Sequence, residues 1–321
     1  MNKGLQEKLI QNGKGVWNMQ KMISKMVDTF KKEDLNVLYL QLRKGGSIAG
    51  EYSRLSRKAR LNMYSVSKSV VSAGVGIAIE EGLLHMDNKI RDFFAEKMTE
   101  KTSRSLMNTS VRHLLTMTSG LEKPLFFADS LERYQVKDWI DYFFQADFCY
   151  MPGEHFLYSN FNTYILSCII ERQIGQNLLE YLRYRLFEPI DIGNPDWTLC
   201  PMGHVHAANG LFLNIDELGN FGELLLHYGN YKGHQIVPEK YLREATVDQV
   251  KGTAAGTEDK EFYGYGYQFW MTQIENTFLC SGNYGQYCLV MPDKDMVVSV
   301  ISFEENHGRI QEILLENAAE L

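Results

Sequence analysis

The sequence predicts an α/β fold with an added all-α part: one antiparallel sheet, flanked by helices and assembled from both chain ends, with a helical domain inserted between its first and last strands. Three observations carry this. Near the start, "NVLYLQLRKGGSIAGEY" (Asn36 to Tyr52) alternates apolar and polar residues around Gly45-Gly46 and reads as a β-hairpin. A β-rich zone closes the chain, "YGYGYQFWMTQ" and then "NTFLCSGNYGQYCLVMPDKDMVVSVISF", with turns at Gly282 to Gly285 and at Pro292-Asp293. Between these ends the apolar residues recur at helical spacing. The sheet domain is therefore assigned to residues 1–60 and 245–321, and the helical domain to residues 61–244.

Each helix has its own signals. Ser65 to Glu81 is a nearly uniform apolar run stopped by Gly82. "SVRHLLTMTSGL" is a shorter one, and "NTYILSCIIERQIG" ends in Gly175. "IDELGNFGELLLHYGN" places Asp216 in its first turn ahead of a long apolar face, and "HGRIQEILLENAAEL" is amphipathic. No repeat, low-complexity tract or Pro/Gly-rich linker separates these pieces.

Composition narrows the function. The chain has 321 residues, 45% hydrophobic and 12% aromatic, enough to bury a sizeable core. Its formal net charge is −7, with Lys and Arg scattered among Asp and Glu, so no basic stripe exists to neutralise nucleic acid. The first residues lack the apolar core of a signal peptide, and no run reaches the ~18 apolar residues of a membrane span. The expectation is a cytoplasmic protein with no membrane partner. Five cysteines (Cys149, Cys168, Cys200, Cys280, Cys288) form no CxxC pair, which points to free thiols. No cofactor is expected, and no metal.

The chemistry-bearing stretch is "YSVSKSV" (Tyr64 to Val70), at the mouth of the first apolar helix. Ser65 and Lys68 are three residues apart, so on a helix their side chains meet. Burial at the positive helix end lowers a lysine pKa, and such a lysine takes the proton of a serine as histidine does elsewhere. The simpler alternative makes Ser65 an N-cap and Lys68 a solvated first-turn residue. Two further stretches favour chemistry. "PGEHFLYSNFNTYILSCIIE" brings Tyr158 and Asn160 to another helix mouth, and "FLCSGNYGQYCLVMPDKD" puts Ser281-Gly282 at a strand end, where glycine allows close approach to the backbone. A second Y-x-N at Tyr228 to Asn230 lies among turn residues and carries little weight.

Ser65-Val66-Ser67-Lys68, Tyr158-Ser159-Asn160 and the late strand with Gly282, in this order, resemble the motifs of the serine β-lactamase and penicillin-binding-protein superfamily, in the branch around class C β-lactamases and their esterase-like relatives. "VRHLLTMTSGL", "PGEHFLYSN", "NGLFLNIDELGNFGELLLHYG" and "SGNYGQYCLVMPDKDMVV" resemble stretches that recur in that branch. The resemblance implies Ser65 as nucleophile, Lys68 as its proton acceptor, and Tyr158 as a relay to the leaving group. It implies Asn160 as a holder of Lys68 or substrate, and an oxyanion hole of the Ser65 and Asn283 N–H groups beside Ser281 and Gly282. Where the family's third motif begins with Lys or His, this chain has Cys280. Recognition of a substrate carboxylate at that position is thereby in question, unless a cation from Lys251 to Lys260 replaces it. The implied function is a serine hydrolase forming an acyl-enzyme on a small ester or amide. The alternatives are a silent binding or regulatory protein that kept the fold, or a true β-lactamase or D-alanyl-D-alanine peptidase.

His204 and His206 have i,i+2 spacing but no third ligand beside them, so structural roles are expected. His155 is a candidate for the pocket wall. Tyr263, Tyr265 and Tyr267 alternate with glycines as one face of an edge strand, lining either substrate or core, and Trp270 reads as core. Cys280 and Cys288 flank the tight turn closely enough to approach each other.

Overall fold

The computed structural model describes residues 19–126, 130–250 and 263–320. The principal sheet has six antiparallel strands: β1 (Val37–Lys44), β2 (Ser47–Ser53), β3 (Trp270–Met271), β4 (Phe278–Gly282), β5 (Gln286–Met291) and β6 (Met296–Ser302). Their order across the sheet is β2-β1-β6-β5-β4-β3, so β1 from the start of the chain pairs with β6 from its end. The β1–β2 hairpin turns through Gly45 and Gly46 at φ +58° and +70°, the left-handed values a two-residue turn needs. All seven residues of β6, "MVVSVIS", are buried, as befits a strand covered on both faces.

Helices cover both faces. On one lie α1 (residues 19–32) and α5 (His307–Ala319), whose Met26, Phe30, Ile310 and Leu314 join Leu40, Leu42 and Val298 in one cluster. On the other lie α2 (Val66–Glu80) and α4 (Ile215–Leu226), with α3 (Asn160–Ile174) packed against α2, within a larger cluster that includes Tyr39, Cys280 and Val297. Helix α2 is buried from Val66 to Ala78, its serines and Lys68 included, and it ends before Gly82 at φ +70°. Helix α3 ends before Gly175 at φ +68°.

Two features differ from the sequence reading. Helix α4 falls inside the range 61–244 assigned to the helical domain, yet it lies on the sheet. A β-carbon at Gly222 would come within 2.4 Å of Val297 Cγ1, and one at Gly219 within 2.5 Å of Arg43 Nε, so glycines let this helix sit directly on the strands. A helical period shows which face is apolar, not which layer covers it. The Tyr263–Tyr267 run is likewise no edge strand: only Tyr265 forms a bridge, to Trp270, and Gly264 turns the chain at φ +140°. Tyr263 is exposed, while Tyr265 and Tyr267 are buried in different clusters. No described helix is long and apolar enough to cross a membrane.

Candidate active site

Ser65 stands at the start of α2 but does not cap it: its side chain makes no capping hydrogen bond. Its hydroxyl faces Lys68 Nζ at 2.9 Å. The i,i+3 relation of one helical turn produces this contact. Lys68 is 1% exposed, and no carboxylate pairs with it among the described residues. Burial alone pushes its pKa down to about 7.

The other Lys68 contacts decide what the nitrogen does. Nζ donates to Asn160 Oδ1 at 2.8 Å and to the Ala208 carbonyl at 3.0 Å. The Asn160 amide is oriented by Nδ2, which donates to the Phe126 carbonyl at 2.7 Å, so Oδ1 must face Lys68. Both partners are acceptors only in this arrangement. A neutral amine has two N–H bonds, and these two carbonyl oxygens take both. Its lone pair then points at Ser65 Oγ. The Ala208 carbonyl carries no signal in a side-chain alphabet, and the sequence reading missed it.

Tyr158 completes the cluster. Lys68 Nζ lies 4.8 Å from the centre of its ring, and the ring stacks on Trp270 at 5.3 Å with Tyr265 edge-on at 6.1 Å. Burial raises the phenol pKa well above its usual value, and a hydrogen bond with the Ser65 hydroxyl opposes that rise. The phenol therefore stays protonated at neutral pH. Trp270, read from sequence as core, is only partly buried and forms the wall behind this ring.

Strand β4 closes the site. A β-carbon on Gly282 would lie 2.4 Å from the Met63 carbonyl oxygen and 3.2 Å from the Ser65 nitrogen, so only glycine admits this approach of strand to helix start. Asn283 follows at the exposed turn. Neither the Ser65 nor the Asn283 backbone N–H donates to a protein acceptor among the described residues. Ser281 is partly exposed on the same strand, opposite Tyr287. Cys280 is different: it is 0% exposed, paired in register with Cys288, with its thiol toward Cys288 and Ser69. Strand alternation puts Cys280 on the α2 side of the sheet, where Ser69 and Cys288 cover it and leave its side chain no exposed surface. The segment Lys251 to Lys260 lies outside the described residues.

The remaining candidates sit elsewhere or serve packing. His204 Nδ1 bonds Glu171 Oε2 at 2.6 Å, while His206 packs edge-on against Trp139 at 5.0 Å with its pKa pushed down to about 4, mainly by burial. No group of three or more metal-ligating side chains occurs among the described residues. His155 stacks on Tyr150 at 4.3 Å, and Tyr267 receives a hydrogen bond from Arg112 Nη1 at 2.6 Å.

Comparison with known proteins agrees with this architecture. The 6-aminohexanoate-dimer hydrolase of Paenarthrobacter ureafaciens is 25% identical over 290 residues, 82% of this chain and 71% of that one. Penicillin-binding protein 4* of Bacillus subtilis (strain 168) is 26% identical over 170 residues, half of this chain. The chain spans only 36% and 60% of the length of two of the curated relatives it matches. Among solved structures, EstCE1, described as a hydrolase with promiscuous acyltransferase activity, superposes with a TM-score of 0.76 at 15% identity, covering 94% of this chain and 99% of that one. Residues 24–316 match the beta-lactamase family, and the chain belongs to it.

Proposed function

We propose that this protein is a serine hydrolase that cleaves a small ester or amide through an acyl-enzyme. The observation that carries the reading is the buried Lys68 Nζ, 2.9 Å from Ser65 Oγ with its two other bonding directions taken by carbonyl oxygens. Ser65 Oγ attacks the acyl carbonyl carbon as its proton passes to neutral Lys68. The carbonyl oxygen becomes an oxyanion, received by the Ser65 and Asn283 N–H groups. Collapse breaks the bond to the leaving group, which takes a proton by way of Lys68 and the Tyr158 phenol. Water then attacks the acyl-enzyme, giving a proton to the same relay, and Ser65 departs with one regained. Asn160 holds Lys68 throughout.

Substrate class follows from the third motif. With Cys280 buried, that position offers no cation to a substrate carboxylate, so neutral esters and amides are favoured over β-lactams and peptide C-termini. The names of the relatives, a 6-aminohexanoate-dimer hydrolase and a hydrolase with promiscuous acyltransferase activity, support acyl transfer to water as the reaction. Fluorophosphonate labelling of Ser65, with hydrolysis of p-nitrophenyl butyrate, tests the proposal. An unlabelled Ser65 and an inert ester would favour the silent binding protein instead.

A further inference from the structure

Tyr64 immediately precedes Ser65, and Tyr284 immediately follows Asn283. Both lie in the left-handed region, at φ +45° and +61°, where bulky side chains are rare and strained. Their rings meet at 5.1 Å with planes inclined by 53°, and Tyr284 also stacks on Phe303 at 5.0 Å and 12°. Two backbone outliers from distant segments thus flank the two candidate oxyanion donors and touch each other.

We propose that Tyr64 and Tyr284 form an aromatic strut that holds the Ser65 and Asn283 N–H groups at one separation and direction; the inference rests on the acyl-enzyme reading and adds two positioning residues to it. The two donors belong to different elements, the start of α2 and the β4–β5 turn. Contact at Gly282 sets how closely these approach. The turn is anchored from behind: the Tyr284 carbonyl accepts the Glu304 N–H at 3.1 Å, the Gly285 carbonyl the Ser302 hydroxyl at 3.1 Å, and the Asn283 carbonyl Gln286 Nε2 at 3.3 Å. On the helix side, the Tyr64 N–H donates to Asn62 Oδ1 at 2.9 Å and its carbonyl accepts the Ser67 N–H at 3.1 Å. The ring contact joins these two anchored frames. Strained φ values persist where surrounding contacts over-determine them, and an oxyanion site acts through donors fixed before the charge develops.

The test compares Tyr64→Gly and Tyr284→Gly, which keep the left-handed backbone accessible but remove a ring, with Tyr64→Phe and Tyr284→Phe, which keep it. Ester kinetics, affinity for an alkyl boronic acid and hydrogen exchange of the Ser67 and Glu304 amides, which donate to the Tyr64 and Tyr284 carbonyls, are read together. The glycine variants should lose about tenfold to a hundredfold in kcat and in boronate affinity with KM nearly unchanged, the double glycine variant should be no worse than the poorer single, and exchange at both amides should rise. The phenylalanine variants should stay within about threefold of the parent, since stacking needs the ring and not the hydroxyl. Glycine variants with unchanged kcat, boronate affinity and amide exchange would overturn the strut, and a rise in KM alone would make the rings a substrate wall instead. If the parent protein neither turns over ester nor labels at Ser65, the acyl-enzyme reading falls, and amide exchange still decides whether the rings hold the two frames together.

Discussion

The Tyr158 ring lies against the Trp270 indole, with 5.3 Å between centroids and 30° between planes. The indole shields the phenol from water, and burial is the first cause of the raised pKa of Tyr158. Trp270→Ala should therefore admit water, bring the phenol pKa back toward its usual value and loosen the ring. We expect roughly a tenfold loss in kcat together with about 2 kcal/mol of stability, the latter below the usual cost of a fully buried Trp because Trp270 is only partly covered. Ultraviolet difference titration of the tyrosines and thermal unfolding check the two parts separately.

Ser65→Ala should abolish ester turnover and fluorophosphonate labelling while leaving the unfolding midpoint within a few degrees of the parent. The Ser65 side chain makes no cap bond, so its removal forfeits less than the ~1 kcal/mol of a working cap. Ser67 is fully buried, its hydroxyl accepting the Leu211 N–H at 3.4 Å. Ser67→Ala should keep labelling, and mass spectrometry of the labelled peptide distinguishes the two serines.

Lys68 links activity and stability to pH in one direction. Its pKa falls from 10.5 to about 7 on folding, so kcat/KM should rise through an acid limb near pH 7 as the amine becomes neutral. Between those two values the unfolded chain holds a proton that the folded chain does not. Stability therefore increases with pH across that window, by at most about 1.4 kcal/mol per pH unit, and the burial penalty is fully felt below pH 7. Denaturant unfolding of the parent and of Lys68→Met from pH 6 to 10 measures this as a pH-dependent difference. Lys68→Arg should be inactive throughout, because a guanidinium supplies no lone pair in this range.

Neutral esters should outpace carboxylate-bearing substrates. A charge-assisted hydrogen bond to a carboxylate is worth about 1.5–3 kcal/mol, or roughly one to two decades of binding, and Cys280 cannot supply it. p-Nitrophenyl butyrate should turn over while a chromogenic cephalosporin reacts weakly or not at all. Cys280→Lys should lower the unfolding midpoint, because it buries an unpaired ammonium beside Ser69 and Cys288. Efficient cephalosporin hydrolysis by the unaltered protein would show that another cation reaches the substrate.

Gln268 ties three helical segments together without touching the site. Its amide donates to the Leu114 and Leu115 carbonyls at 3.1 and 2.9 Å and accepts the Thr163 hydroxyl at 2.6 Å, and its own carbonyl accepts the Ser69 hydroxyl at 2.8 Å. It is 2% exposed. Gln268→Ala should cost about 2–4 kcal/mol by leaving buried groups unpaired, visible as a lower unfolding midpoint with ester KM unchanged.

What was legible in the sequence was local. The Gly45-Gly46 hairpin, the glycine stops after α2 and α3, and the three-residue spacing of Ser65 and Lys68 each depend on a few neighbouring residues, and the structure shows those neighbours in the expected geometry. The Ala208 carbonyl, the Tyr158–Trp270 stack and the Tyr64–Tyr284 contact join segments far apart in the chain. No side-chain pattern encodes a carbonyl direction or a meeting of two rings. The tyrosine–glycine alternation at 263–267 shows the reverse error, since a period of two is also what a glycine-bent loop produces when its aromatics fall into separate clusters. The placement of α4 on the sheet turned on two glycines whose meaning appears only once Val297 and Arg43 lie opposite them.

Because β1 pairs with β6, the β1–β2 hairpin meets its sheet neighbour only after everything between Lys44 and Met296 has been synthesised. Until then the β1 edge, rich in valine and leucine, stands open to other chains. The close approach of Gly282 on β4 to the start of α2 also joins distant segments, so the candidate site cannot form one domain at a time. Folding should be slow, dominated by a late long-range pairing, and more dependent on chaperones than that of a helical chain of equal size.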